Sequence, residues 1–109
     1  MNLWRHIIEA DEELQVALRA AMEVVSNIPE LESCLHKCIQ AIAKEKFALT
    51  ELYRQLSHEN ARIINAVEND VQWKESLMQE LPLGPSHDML HATYVLIKAR
   101  PYLSEIHTS

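Results

Sequence analysis

The chain holds a single glycine, Gly84, among its 109 residues. Folds rich in strands and tight turns need many positions with positive φ, so this scarcity argues against hairpins and sheets. It also rules out any glycine-rich cradle for phosphates. Aromatic residues are scarce as well, at 6%, with Phe47 the one phenylalanine. The apolar fraction still reaches 48%. It is supplied mainly by Leu, Ile, Ala and Val, which suits helix packed on helix better than a sheet sandwich.

A run of positive charge is missing too. Sixteen acidic side chains face ten basic ones, a formal net charge of −6, and the basic residues are scattered. A phosphate backbone would be repelled, and so would an anionic membrane surface, so neither nucleic acid nor membrane is an expected partner. No apolar stretch approaches the ~20 residues that span a bilayer. The segment carrying Glu9, Asp11, Glu12 and Glu13 is unlike a secretory signal, and the expectation is a cytoplasmic protein. Two cysteines, Cys34 and Cys38, are too few for a disulfide framework and fit a reducing compartment.

What is present is helical periodicity. The length predicts one all-helical domain over 1–109. Over about 2–26, and on to Ile28, apolar residues recur at three- and four-residue steps at Trp4, Ile7, Leu14, Leu18, Ala21, Val25 and Ile28, a seam interrupted only at Asp11. Asn27, Ile28 and Pro29 break this helix, and Pro29 with Glu30 and Glu32 suits the start of the next. From there to Leu81 neither glycine nor proline occurs. The seam runs through Leu31, Leu35, Cys38, Ile42, Leu49, Leu52, Leu56, Ile63, Val67, Val71, Met78 and Leu81. Ser57-His58-Glu59-Asn60 is its weak point, yet Leu56 and Ile63 stay in step across it. The spacing therefore predicts one long central helix over about 29–81, roughly 80 Å in length. A break near His58, giving a four-helix bundle, is the alternative.

Leu83-Gly84-Pro85-Ser86 is the clearest loop, with Gly84 suited to the left-handed cap of the preceding helix, Ser86 to the N-cap of the next and Asp88 to its first turn. A last helix is expected over 86–106, bent or ended by Pro101, and the tail His107-Thr108-Ser109 is expected to fray. The fold class that follows is a small antiparallel helical bundle, with short flanking helices folded back on the central one. Flanks that short leave part of the central helix bare. Phe47, Tyr53, Ile64 and Trp73 are then the candidate partner-binding residues, because large apolar and aromatic side chains off the seam make good anchors.

Three polar constellations compete with that reading. Cys34 and Cys38 share a helix face, but a zinc site needs about four convergent ligands and no second pair completes one. They read as packing residues. His87 and His91 have the spacing by which one helix offers two imidazoles to a metal. Asp88-Met89-Leu90 between them lacks the zinc-protease glutamate, and no di-iron Glu-x-x-His pattern exists. No metal or other cofactor is expected. Leu56-Ser57-His58-Glu59 resembles the start of the phospho-accepting box in sensor histidine kinase dimerisation helices. That resemblance implies an exposed imidazole that takes phosphate beside a carboxylate base. It covers about four residues, and Ala61-Arg62-Ile63 stands where the family has Arg-Thr-Pro. The run Ile42 to Leu49, followed by Leu52 and Leu56, resembles a stretch of helical flagellar export chaperones, at a spacing common to amphipathic helices.

No triad order, phosphate loop or cofactor fingerprint is present, so an enzyme is not expected. The expected function is a non-enzymatic helical interaction module, an adaptor, chaperone-like or regulatory subunit. It would bind a protein partner or form a homo-oligomer through coiled-coil-like contacts. The competing function is a histidine phosphotransfer or metal-binding bundle using His58 or the His87/His91 pair.

Overall fold

The computed structural model describes residues 2–55, 58 and 60–104. Among them are four helices and no strand: α1 (Leu3–Glu23), α2 (Ile28–Arg54), α3 (Ala61–Glu80) and α4 (His87–Lys98). The expected all-α bundle is what is found. The single central helix over 29–81 is not, because the chain turns back between Arg54 and Ala61. Asn60 reinforces the reversal by donating from its side chain to the Gln55 carbonyl at 2.8 Å, closing the end of α2. The seven-residue step from Leu56 to Ile63 misled because a seam keeps its phase whether a helix continues or folds back on itself. Leu56, Ser57 and Glu59 lie outside the described residues.

Three of the four helices, α1, α2 and α4, start where a side chain supplies a cap, whereas Asn60 makes no such bond before α3. Asn2 Oδ1 accepts from the Arg5 N–H, Asn27 Oδ1 from the Glu30 N–H and Ser86 Oγ from the Met89 N–H. These contacts satisfy backbone donors that no earlier turn can reach. Gly84 has φ +72°, as its type suggests, but within the loop rather than directly at the end of α3. The flanking helices are shorter than expected. α1 stops at Glu23 rather than 26, where Val24 and Asn27 close successive turns. α4 stops at Lys98 rather than 106, and Arg100, just before Pro101, takes a left-handed φ of +49°. The tail 105–109 lies outside the described residues.

The helices run alternately up and down a body 48 Å long and 21 by 20 Å across. α1 and α2 make the most extensive contact, α4 lies against α1, and α3 leans more sparsely on α2. The core is built by Ile7, Leu14, Leu18 and Ala21 of α1 with Leu31, Cys38, Ile42 and Leu52 of α2. Ile64, Val67 and Val71 of α3, Leu90 and Ile97 of α4, and Leu103 complete it. No helix is long and apolar enough to cross a membrane among the described residues.

Candidate functional site

Two regions stand out against this core: a buried charge cluster midway along the bundle and an apolar groove at one end. The cluster forms where charged residues fall in phase with the seams. Asp11 interrupts α1, Glu45 lies between Ile42 and Leu49, and Lys74 lies between Val71 and Met78. Asp11, Glu45, Asp70 and Lys74 are each about 1% exposed. Lys74 Nζ donates to Glu45 Oε1 at 2.7 Å and stands 2.7 Å from Asp11 Oδ1 and 2.6 Å from Asp70 Oδ2. The second Asp11 oxygen accepts from Arg100 Nε at 2.7 Å and Gln15 Nε2 at 2.9 Å. Three helices and the segment after the fourth are thus tied to one point.

Fully ionised, the three carboxylates outnumber the two cations by one, and an uncompensated buried charge is costly. Glu45 Oε2 and Asp70 Oδ1 are buried without a hydrogen-bond donor. A proton held on Glu45 removes both problems. Burial, then the hydrogen bond with Asp70, pushes the Glu45 carboxyl up to about 9. Lys74 shows the opposite balance. Burial alone would depress its pKa, but Glu45, Asp70 and Asp11 outweigh that and raise it above its ordinary value. The ammonium therefore keeps its protons, and with Glu45 protonated the cluster is neutral.

Arg100 completes the arrangement under strain. It occupies a left-handed position just past the end of α4 that glycine usually takes, at a typical cost of ~1–2 kcal/mol for other residues. From there its long cationic side chain reaches Asp11, which gives the strained backbone a physical reason.

The groove has a different origin. Tyr53 hydrogen bonds to Glu68, and Lys46 pairs with Glu75 at 3.4 Å. These are successive rungs between antiparallel α2 and α3, seven residues apart on each helix. Seven residues further, Ile39 falls opposite Pro82, beyond the end of α3. The ladder stops there and the helices leave a cleft of roughly 690 Å³. It is lined by Val25, Ile28, Leu31, Leu35, Ile39, Met78, Leu81 and Leu83, with Glu32 the one charged residue. A smaller recess of about 360 Å³ continues it past Ile42 and Ala43 to the Lys46–Glu75 pair. Ile28, Ile39 and Leu83 are among the most exposed large apolar side chains, at 65%, 57% and 104%.

Of the four residues expected on a partner-binding stripe, the structure leaves two in the open. Phe47 is 52% exposed and continues the α2 face of Ile39 and Ala43 at four-residue steps. Tyr53 is exposed too, although its hydroxyl is engaged by Glu68. Ile64 is buried in the core, a correction that follows from the fold-back of α3 onto α2. Trp73 is half-buried and packs edge-on against Tyr102, with ring centroids 5.6 Å apart. Sequence reasoning missed Glu45, Asp70, Lys74 and Arg100, as well as the groove around Ile28, Ile39 and Leu83.

The other constellations stay simple. Cys38 is buried, and its thiol is pushed up to about 12 by burial and then by the neighbouring Cys34, which keeps it inert. His87 and His91 stack with centroids 6.3 Å apart at the start of α4. No group of three or more His, Cys, Asp or Glu side chains arranged to hold a metal ion occurs among the described residues. His58 is exposed in the turn after α2, whereas the adjacent Ser57 and Glu59 fall outside the described residues. Comparison with known protein families, with curated proteins and with solved structures finds no match to this chain.

Proposed function

We propose that the chain is a non-enzymatic helical interaction module, an adaptor, chaperone-like or regulatory subunit that receives a protein partner in the groove between α2 and α3. One observation carries this reading. The cleft is apolar along its length, and its most exposed members, Ile28, Ile39 and Leu83, are left largely open by the described residues. Such a surface costs solubility unless something docks on it. The buried cluster supports the same conclusion from the other side. It is closed to solvent, and its one amine is held protonated, so it offers neither substrate access nor a free nucleophile.

The expectation of self-association loses one of its arguments, because the 80 Å helix that would have overhung its flanks does not exist. A homo-oligomer remains one form the partner could take. The test is to place a photo-crosslinking amino acid at Ile39, and at exposed Asn65 as a control, in the cells the chain comes from. A discrete adduct from Ile39 and none from Asn65 is expected, with its mass separating a second copy from another protein. Equal labelling at both positions, or none at Ile39, would defeat the reading.

A further inference from the structure

We infer that the groove takes a basic amphipathic helix, one whose apolar stripe is flanked by lysine or arginine. This rests on the groove being a docking site and names its occupant. The up-down topology brings the end of α1, the start of α2, the end of α3 and the start of α4 to the groove end of the bundle. Away from that end, each exposed acid among the described residues has a partner. Glu9 pairs with Arg5 and Lys44, Glu13 with Lys44, Glu12 with Arg100, Glu51 with Arg54, Glu75 with Lys46, and Glu68 holds Tyr53.

The exposed acids around the groove differ. Glu32 lines it, and Glu23, Glu30 and Glu80 lie within two residues of lining positions. None of these four carboxylates is in an ion pair among the described residues, and only Arg19 and Lys37 stand free in the same half of the bundle. Two of the four also oppose local helix energetics. Glu23 ends α1 and Glu80 ends α3, where the helix dipole favours cations, and neither helix has a basic residue in its last turn. Acids kept where the isolated chain is better off without them are explained by a cationic partner. The groove from Ile28 to the Lys46–Glu75 pair measures ~27 Å along α2, room for a helix of about 18 residues.

The test uses two synthetic helices of that length with the same leucine stripe, one with lysine on its polar face and one with glutamate. Binding to the full chain is read by fluorescence anisotropy. The lysine helix is expected to bind at least ~10-fold more tightly, the equivalent of 1.4 kcal/mol. Ile39→Asp should weaken it ~10-fold or more although it adds an acid, which separates docking in the groove from adsorption on negative charge. Glu32→Lys with Glu80→Lys should weaken it ~5–10-fold at low salt and less in 0.5 M salt. Glu80→Lys alone should meanwhile raise the melting temperature of the free chain.

If both helices bind equally and Ile39→Asp weakens both, the groove reading stands and the basic partner is wrong. If the lysine helix ignores Ile39→Asp, the inference fails. If the chain alone has twice its expected mass and Ile39→Asp halves it, the occupant is a second copy and the inference again fails while the interaction reading survives. Absence of binding by either helix, with no crosslink from Ile39, removes both.

Discussion

The middle of the bundle and its groove end handle acidic residues in opposite ways. Midway, three carboxylates are sealed from water, and each finds a cation or a proton within hydrogen-bond reach. At the groove end, four carboxylates stand in solvent with no ion-pair partner among the described residues, beside an exposed apolar cleft. The contrast separates charges that hold the chain together from charges that are left unpaired among the described residues. α3 makes only sparse contact with α2, so the ion pairs of Lys74 to α1 and α2 are a large part of what positions it. The groove contributes little to that.

Lys74→Met should have the largest effect. Removing the cation strands Asp11, Glu45 and Asp70 around an apolar side chain, and breaking a buried ion pair from one side typically costs ~3–5 kcal/mol. Urea unfolding is expected to show a loss of that size, with α3 losing hydrogen-exchange protection first. A loss below ~1 kcal/mol would mean that the cluster does not hold α3.

Acidity offers a second test with a definite sign. Glu45 is raised from its ordinary 4.5 to about 9 in the folded chain, so between those values the folded state holds a proton that the unfolded state has released. Stability must then fall as pH rises through that window, by up to ~1.4 kcal/mol per pH unit from this group. Lys74 is raised too, so its contribution stays intact below 10.5 and does not offset the decline. Glu45→Gln keeps the shape and the donor toward Asp70 while removing the titration. Denaturant midpoints measured from pH 6 to 9 should slope down for the natural chain and run flatter for Glu45→Gln. Parallel slopes would assign the proton elsewhere.

The sequence made the helices legible because caps and periodicity are local properties. Asn27 with Pro29, and Gly84 with Ser86 and Asp88, mark turns that formed as their side chains require. The fold-back near His58 was not legible, since the cue is an amide side chain of Asn60 reaching a carbonyl five residues earlier. The cluster could have been found. Asp11 already showed as a break in the first seam, and Glu45 and Lys74 occupy equivalent steps of theirs, with opposite signs that favour pairing. Asp70 and Arg100 carry no such mark, because their roles depend on which helices become neighbours. The groove was hidden for a similar reason: it arises from the register of α2 against α3, which sequence spacing alone does not set.

Arg100 gives a smaller, two-part effect. Arg100→Ala removes the pair with Asp11 but keeps the strained φ of +49°, whereas Arg100→Gly removes the pair and relieves the strain. The side chain is 25% exposed, so its pairing is partly screened and the loss for alanine should be modest, ~1–2 kcal/mol. Glycine should recover ~1 kcal/mol of it. If thermal unfolding ranks glycine below alanine, the left-handed backbone is not under strain.

The smallest expected effect on stability lies at the groove. Ile39 and Leu83 are both more than half exposed, so truncating them removes little surface that folding has taken from water. Ile39→Ser and Leu83→Ser should each change stability by no more than ~0.5 kcal/mol, as surface substitutions usually do. A buried residue of the same type gives the reference: Ile64→Ala or Leu52→Ala should cost ~2–5 kcal/mol, because core truncation leaves a cavity as well as losing contacts. The four variants can be compared in one set of urea curves at pH 7. Should the groove variants lose 2 kcal/mol or more, these side chains belong to the fold rather than to a docking surface, and the apolar cleft needs no partner to explain it.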